Sequence, residues 1–174
     1  MQLIDIDKTV YRKHLNRVIT VFVASLAILS VLLGQLLIQF FGQTQVASGE
    51  STGNLHLNVL GVLVAVIICA GTLYSQREHI YFKEVFYVSR LKALQNRIYR
   101  KLKSIKQQAE KDDVDALITL SFYYASLKFV YLLDDNTLTL NQVDSDFLAI
   151  KQQIQACGLN VDERDFKVEM LTNF

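Results

Sequence analysis

Two long runs without Asp, Glu, Lys or Arg interrupt the chain, at 18–49 and 51–76, and only Glu50 separates them. All 18 Lys and Arg residues of the 174-residue chain lie outside these runs. Their apolar parts are 18–41 (VITVFVASLAILSVLLGQLLIQFF) and 55–76 (LHLNVLGVLVAVIICAGTLYSQ). At ~1.5 Å of rise per residue, each is long enough to cross the ~30 Å hydrocarbon layer of a bilayer. The first exceeds the ~7–15 apolar residues of a cleaved signal peptide, so both are expected to remain as transmembrane helices.

The loops set the orientation. Lys8, Arg12, Lys13 and Arg17 precede the first span, and Arg77 opens a dense basic segment after the second. The intervening loop, 42–54, has Glu50 and no cation. Positive-inside asymmetry then predicts a multi-pass hairpin with both termini in the cytoplasm. A loop so short and so rich in Gly and Ser cannot fold as a ligand-sensing domain, which argues against a two-span chemoreceptor or sensor kinase.

Facing positions of an antiparallel hairpin have residue numbers of near-constant sum, which pairs Gly34 with Gly61, Ser30 with Ala65 and Ala27 with Cys69. Small residues at four-residue spacing allow close backbone approach where lipid supplies no hydrophobic drive, so these six are the expected packing positions. Gln35, Gln39 and Asn58 near the outer ends are read as hydrogen-bonding across the hairpin. The spans carry no Asp, Glu, Lys or Arg, which disfavours a proton relay or ion-coupled transporter.

The rest of the chain also reads as helical. The whole chain has no Pro and only seven Gly, and no series of alternating strands appears, so the expected class is all-α. Asp7 is a plausible cap for an N-terminal basic helix within 1–17 that lies near the headgroups and continues into the first span. Segment 77–111 has ten basic residues against three acidic, a net of about +7; segment 112–174 has four against eleven, about −7. Along the basic segment Tyr87, Leu91, Leu94, Ile98, Leu102 and Ile105 recur at helical spacing, flanked by Arg90 and Arg97. This stripe is the expected interface with a partner or with anionic lipid, while the charge contrast also suggests that the acidic helices fold back onto the basic one.

Within the acidic part, Asp112 or Asp113 can cap a helix containing 116–133 (ALITLSFYYASLKFVYLL). Its length approaches that of a third span, but Lys128, Ser121, Ser126, Tyr123 and Tyr124 interrupt it, so it reads as the core helix of a small cytoplasmic domain. A turn at 134–136 follows. Thr139 with Gln142 resembles a capping box for a helix that Gly158 ends, with a stripe of Leu140, Val143, Phe147, Ile150, Ile154 and Cys157. Asp162 can cap a last helix bearing Phe166, Met170 and Leu171.

No nucleophilic triad, phosphate loop or metal motif is visible, and His14, His56 and His79 are dispersed, so neither enzymatic activity nor a cofactor is expected. Asp112/Asp113, Asp134/Asp135 and Asp144/Asp146 read as caps and turns, and Cys69 and Cys157 as reduced apolar residues. Nucleic acid is the least favoured partner, because no recognised binding module accompanies the basic charge.

The stretch 6–19 (IDKTVYRKHLNRVI) and the span after it resemble a catalogued family of short bacterial membrane proteins of unknown function, over nearly the whole chain. That resemblance implies a bacterial inner-membrane setting, two spans and a helical cytoplasmic tail, and assigns no catalytic or binding residue. The expected role is a membrane-anchored interaction or scaffold protein, self-associating or recruiting a protein partner through its cytoplasmic helices. The alternative is a small oligomeric channel or mechanosensitive pore.

Overall fold

The structure, a computed structural model, describes residues 2–43 and 53–174. Most of the expected external loop, Glu50 included, lies outside the described residues. Five α-helices follow one another: α1 (Lys8–Phe41), α2 (Leu55–Ser75), α3 (Ile80–Ala109), α4 (Val114–Asp134) and α5 (Leu140–Ala156). Two short 3-10 helices, Glu163–Asp165 and Val168–Asn173, close the chain, and no strand occurs among the described residues. The fold is all-α. Two compact units divide it, one of residues 13–83 and the other of residues 1–12 with 84–174.

The 13–83 unit contains most of α1, all of α2 and the turn into α3. Its helices are apolar and largely uncovered: only 6% of the most apolar window of α1 is buried, and 22% of that of α2. The buried side of α2 is one narrow stripe, Leu57, Gly61, Ala65 and Cys69, at the four-residue repeat of one helix face.

In the other unit α4 is the core. Ala116 to Ser126 are all buried, and 67% of its most apolar window is covered by the protein itself. Asp113 starts the helix by accepting from the Ala116 amide at 2.8 Å. α5 and both 3-10 helices pack on α4, and Phe166 stacks on Phe122 with ring centroids 4.2 Å apart. α3 lends the same core Val88, Leu91, Leu94, Ile98, Ile105 and Ala109.

Three local expectations are corrected. The last segment is not one α-helix. Asp162 caps only a single 3-10 turn, accepting from the Arg164 amide at 2.7 Å; Phe166 then turns extended, and its ring enters the core. The capping box expected at Thr139 does not form: Thr139 has helical dihedrals, φ −104° and ψ 0°, rather than the extended ones of an N-cap and makes no side-chain cap, and Gln142 reaches forward to Asp146 at 2.9 Å. On α5 only Val143 and Ile154 are buried, so Leu140, Phe147, Ile150 and Cys157 form the half-covered margin of its stripe.

Residues 2–12 are part of the α4 unit. α1 begins with Asp7 accepting from the Val10 amide at 2.9 Å, and Ile6 and Tyr11 are buried against protein. The Tyr87 hydroxyl donates to the Gln2 carbonyl at 2.7 Å and accepts from the Ile4 amide at 3.2 Å. Lys8 and Arg12 both pair with Asp135, which ends α4 in the left-handed conformation at φ 57°. Of the segment expected near the headgroups, Ile6 and Tyr11 face the protein core, while Ile4 and Val10 are exposed.

Candidate functional site

In the 13–83 unit α1 and α2 meet backbone to backbone at one point. A Cβ built on Gly61 would lie 2.7 Å from the Gly34 amide nitrogen, and one built on Gly34 would lie 2.9 Å from Asn58 Oδ1. No larger residue fits at Gly61 without separating the helices. Ala65 and Cys69 continue the buried stripe of α2, and Ser30 is half-buried on α1. Ala27 is exposed, because the covered side of α1 follows Ser25, Leu26, Leu29, Ser30, Leu33 and Gly34, one row over. Where α1 ends and α2 begins, Asn54 accepts from the Gln43 amide at 3.1 Å and donates to the Gln43 carbonyl at 2.9 Å, joining the two helices.

At the opposite, charged end, a groove of about 400 Å³ runs between the two helices. Val18, Val21, Phe22 and Leu29 line it from α1, and Ile68 and Leu73 from α2. Arg17, Gln76, Tyr81 and Phe82 stand around its end. The Tyr81 hydroxyl is buried and has no hydrogen-bond partner among the described residues. Its ring packs against His14 at a tilt of 33°, centroids 4.0 Å apart, and meets Phe82 edge-on at 5.6 Å.

In the α4 unit the stripe expected to face a partner is divided by the packing. Leu91, Leu94 and Ile98 are buried in the chain's own core; Tyr87 and Leu102 are half-buried, and Tyr87 holds the N-terminal backbone. These apolar residues are therefore not free for another chain, because α4 needs them as cover. Arg90 and Arg97 are exposed on the other side of α3 with Arg100 and Lys103, and no carboxylate stands within ion-pair distance of these four among the described residues. Among the described residues, the one side-chain ion pair between the basic and acidic segments is Lys92 to Asp134 at 2.7 Å, at their edge. Lys101 instead donates to the Leu171 and Phe174 carbonyls at 2.6 and 3.0 Å, fastening the C-terminus.

A second groove, of about 320 Å³, opens between α3 and α4 and is lined by Lys92, Gln95, Asn96, Tyr99, Tyr123 and Tyr131 among others. Burial, then the neighbouring Tyr124, Tyr131 and Tyr99, push the Tyr123 phenol up to about 12. Gln95 at its floor donates to Ser126 at 3.1 Å, whose hydroxyl donates onward to the Tyr123 carbonyl at 2.8 Å. At the α5 end, hydrogen bonds from Gln153 and Cys157 hold the Asp112 carboxyl below the usual carboxylate range, while Asp112 raises the Cys157 thiol. Neither groove is visible in the sequence, because each joins two helices whose lining residues are far apart in the chain.

The family model described as a protein of unknown function, DUF3087, matches residues 1–171, nearly the whole chain. The chain belongs to the DUF3087 family. No curated protein and no solved structure matches it. Membership in DUF3087 covers both units together, so the apolar helices and the helical tail belong to one family unit rather than to a fusion of two. Three helices of this DUF3087 chain, α1, α2 and α4, are long and apolar enough by composition to cross a membrane.

Proposed function

We propose that the protein is a multi-pass inner-membrane anchor whose cytoplasmic helices act as an interaction scaffold. α1 and α2 form the membrane hairpin with both termini inside, and α4 stays out of the bilayer as the core of the tail. The observation that carries this is the difference in cover. α1 and α2 leave their apolar side chains outward, whereas α4 is enclosed by its own chain and buries Thr119, Ser121 and Ser126 within it. An apolar surface as extensive as that of α1 needs lipid, while a covered one does not.

The scaffold reading rests on the outer side of α3. With Leu91, Leu94 and Ile98 engaged in the core, recruitment passes to the exposed cations Arg90, Arg97, Arg100 and Lys103, which suit an acidic protein surface. Unpaired surface cations of one sign chiefly speed and select encounters, and their effect weakens with salt.

Two measurements test the parts separately. Alkaline carbonate should leave the protein in the membrane pellet, and reporters fused at either end should both read cytoplasmic; an external C-terminus would make α4 a third span. Reversing Arg90, Arg97, Arg100 and Lys103 to Glu should release the partner that copurifies with the native complex while leaving thermal stability within ~1 kcal/mol. A strictly monomeric wild-type protein without a copurifying partner would end the scaffold reading.

A further inference from the structure

The groove at the charged end of α1 and α2 has the dimensions of a hydrocarbon chain. Its lining on α1 runs from Arg17 to Leu29, about 18 Å at ~1.5 Å per residue. A volume of about 400 Å³ over that length leaves a mean cross-section of about 22 Å². The walls are almost wholly apolar, so water is a poor occupant.

The polar groups gather at one end. Arg17 is exposed there, with no carboxylate within ion-pair distance among the described residues. The Tyr81 hydroxyl is buried and lacks an acceptor among the described residues, a state that costs free energy until something accepts its proton. A cation and an unused hydroxyl donor at the mouth of an apolar channel match a phosphate that carries an acyl chain.

We propose that this groove holds one acyl chain of an anionic phospholipid, with Arg17 and the Tyr81 hydroxyl on its phosphate. The inference rests on the membrane-hairpin reading above, and it assigns the lipid a fixed site rather than a place in the annulus. The chain fills the channel beside Val21, Phe22 and Ile68, and the phosphate satisfies the orphan hydroxyl.

Native mass spectrometry of the full chain in detergent, titrated with dioleoyl phosphatidylglycerol or dioleoyl phosphatidylcholine, tests it. Phosphatidylglycerol should be retained more tightly, and glycerol phosphate, which has the headgroup and no chains, should not compete. Arg17→Gln and Tyr81→Phe should each weaken phosphatidylglycerol retention about tenfold, the worth of one charge-assisted or buried hydrogen bond. Ser25→Phe should fill the channel and abolish retention of both lipids. Equal retention of the two lipids, or wild-type retention by the Arg17→Gln/Tyr81→Phe double variant, would overturn the proposal. So would unchanged binding by Ser25→Phe. Because Arg17→Gln and Tyr81→Phe are mild changes, their persistence in the pellet after carbonate extraction separates loss of this site from failure of the membrane reading itself.

Discussion

α2 and α4 are each 21 residues long and each apolar enough to cross a bilayer, yet they have opposite surroundings. α2, at a mean hydropathy of 2.3, hides one stripe and leaves Val59, Leu63, Ile67 and their neighbours outward. α4, at 1.5, is enclosed on nearly every side, and its buried polar atoms are mostly provided for: Ser126 by Gln95 and the Tyr123 carbonyl, Ser121 by Glu163 at 3.4 Å. Hydropathy measures how much surface must leave water. What removes it from water is decided by the cover that other segments can offer.

The comparison breaks most directly at Phe122, which is fully buried and stacked on Phe166. Phe122→Ala should destabilise the α4 unit by about 3–5 kcal/mol, read from denaturant unfolding of the full chain in detergent. A loss under ~1 kcal/mol would mean that α4 is not a packed core helix. Next in size is Gly61→Leu, where the added side chain meets the Gly34 backbone. Overpacking of this kind costs about 1–3 kcal/mol and should lower the thermal midpoint. Gly71→Leu is its control, since a Cβ there meets nothing within 4 Å, and should change little. Equal effects at the two glycines would deny α2 its single packed stripe.

A smaller effect of opposite sign is expected inside α4. The Thr119 hydroxyl is fully buried and lacks a hydrogen-bond partner among the described residues. Thr119→Val keeps the shape, removes the orphan group and should stabilise the unit by about 1 kcal/mol. The last prediction is silent at neutral pH. Burial, with Asp134 adding to it, pushes the Tyr11 phenol up to about 12 from 10.0, so the folded state keeps a proton that the unfolded chain has lost. Stability from this group is complete below about pH 10 and falls as pH rises toward 12. Tyr11→Phe should flatten the alkaline slope of stability by about one proton while Tyr123, also near 12, retains its share. An unchanged slope would place residues 2–12 outside the α4 unit at equilibrium.

Much of the local structure was legible because it depends on neighbours in sequence. Asp7 and Asp113 carry their cap signals within three residues, and Gly158, at φ +65°, marks the end of α5 as a residue without a Cβ can. The interface stripe on α3 was legible as a stripe but not as to its occupant: periodicity says that Leu91, Leu94 and Ile98 face something, and α4 of the same chain is apolar enough to be it. Ala27 shows the same limit from the other side. A constant-sum pairing rule finds small residues, while the row that makes contact is set by how the helices cross. Thr139 marks the start of α5 as expected but forms no capping box, and Asp162 caps only a 3-10 turn, after which Phe166 is extended and stacks on Phe122.

Composition, periodicity, charge placement and hydrophobic length, all read locally along the chain, are enough to determine the all-α class, the three apolar helices and the basic-to-acidic reversal. Burial is not local. Only the tertiary structure decides that α4 is covered while α1 and α2 are not, that Asp135 gathers Lys8 and Arg12, and that Arg17 and an unpartnered Tyr81 hydroxyl stand at the mouth of one narrow groove. Each of those facts joins residues distant in sequence, and the free energy of such contacts depends on geometry that no local pattern encodes.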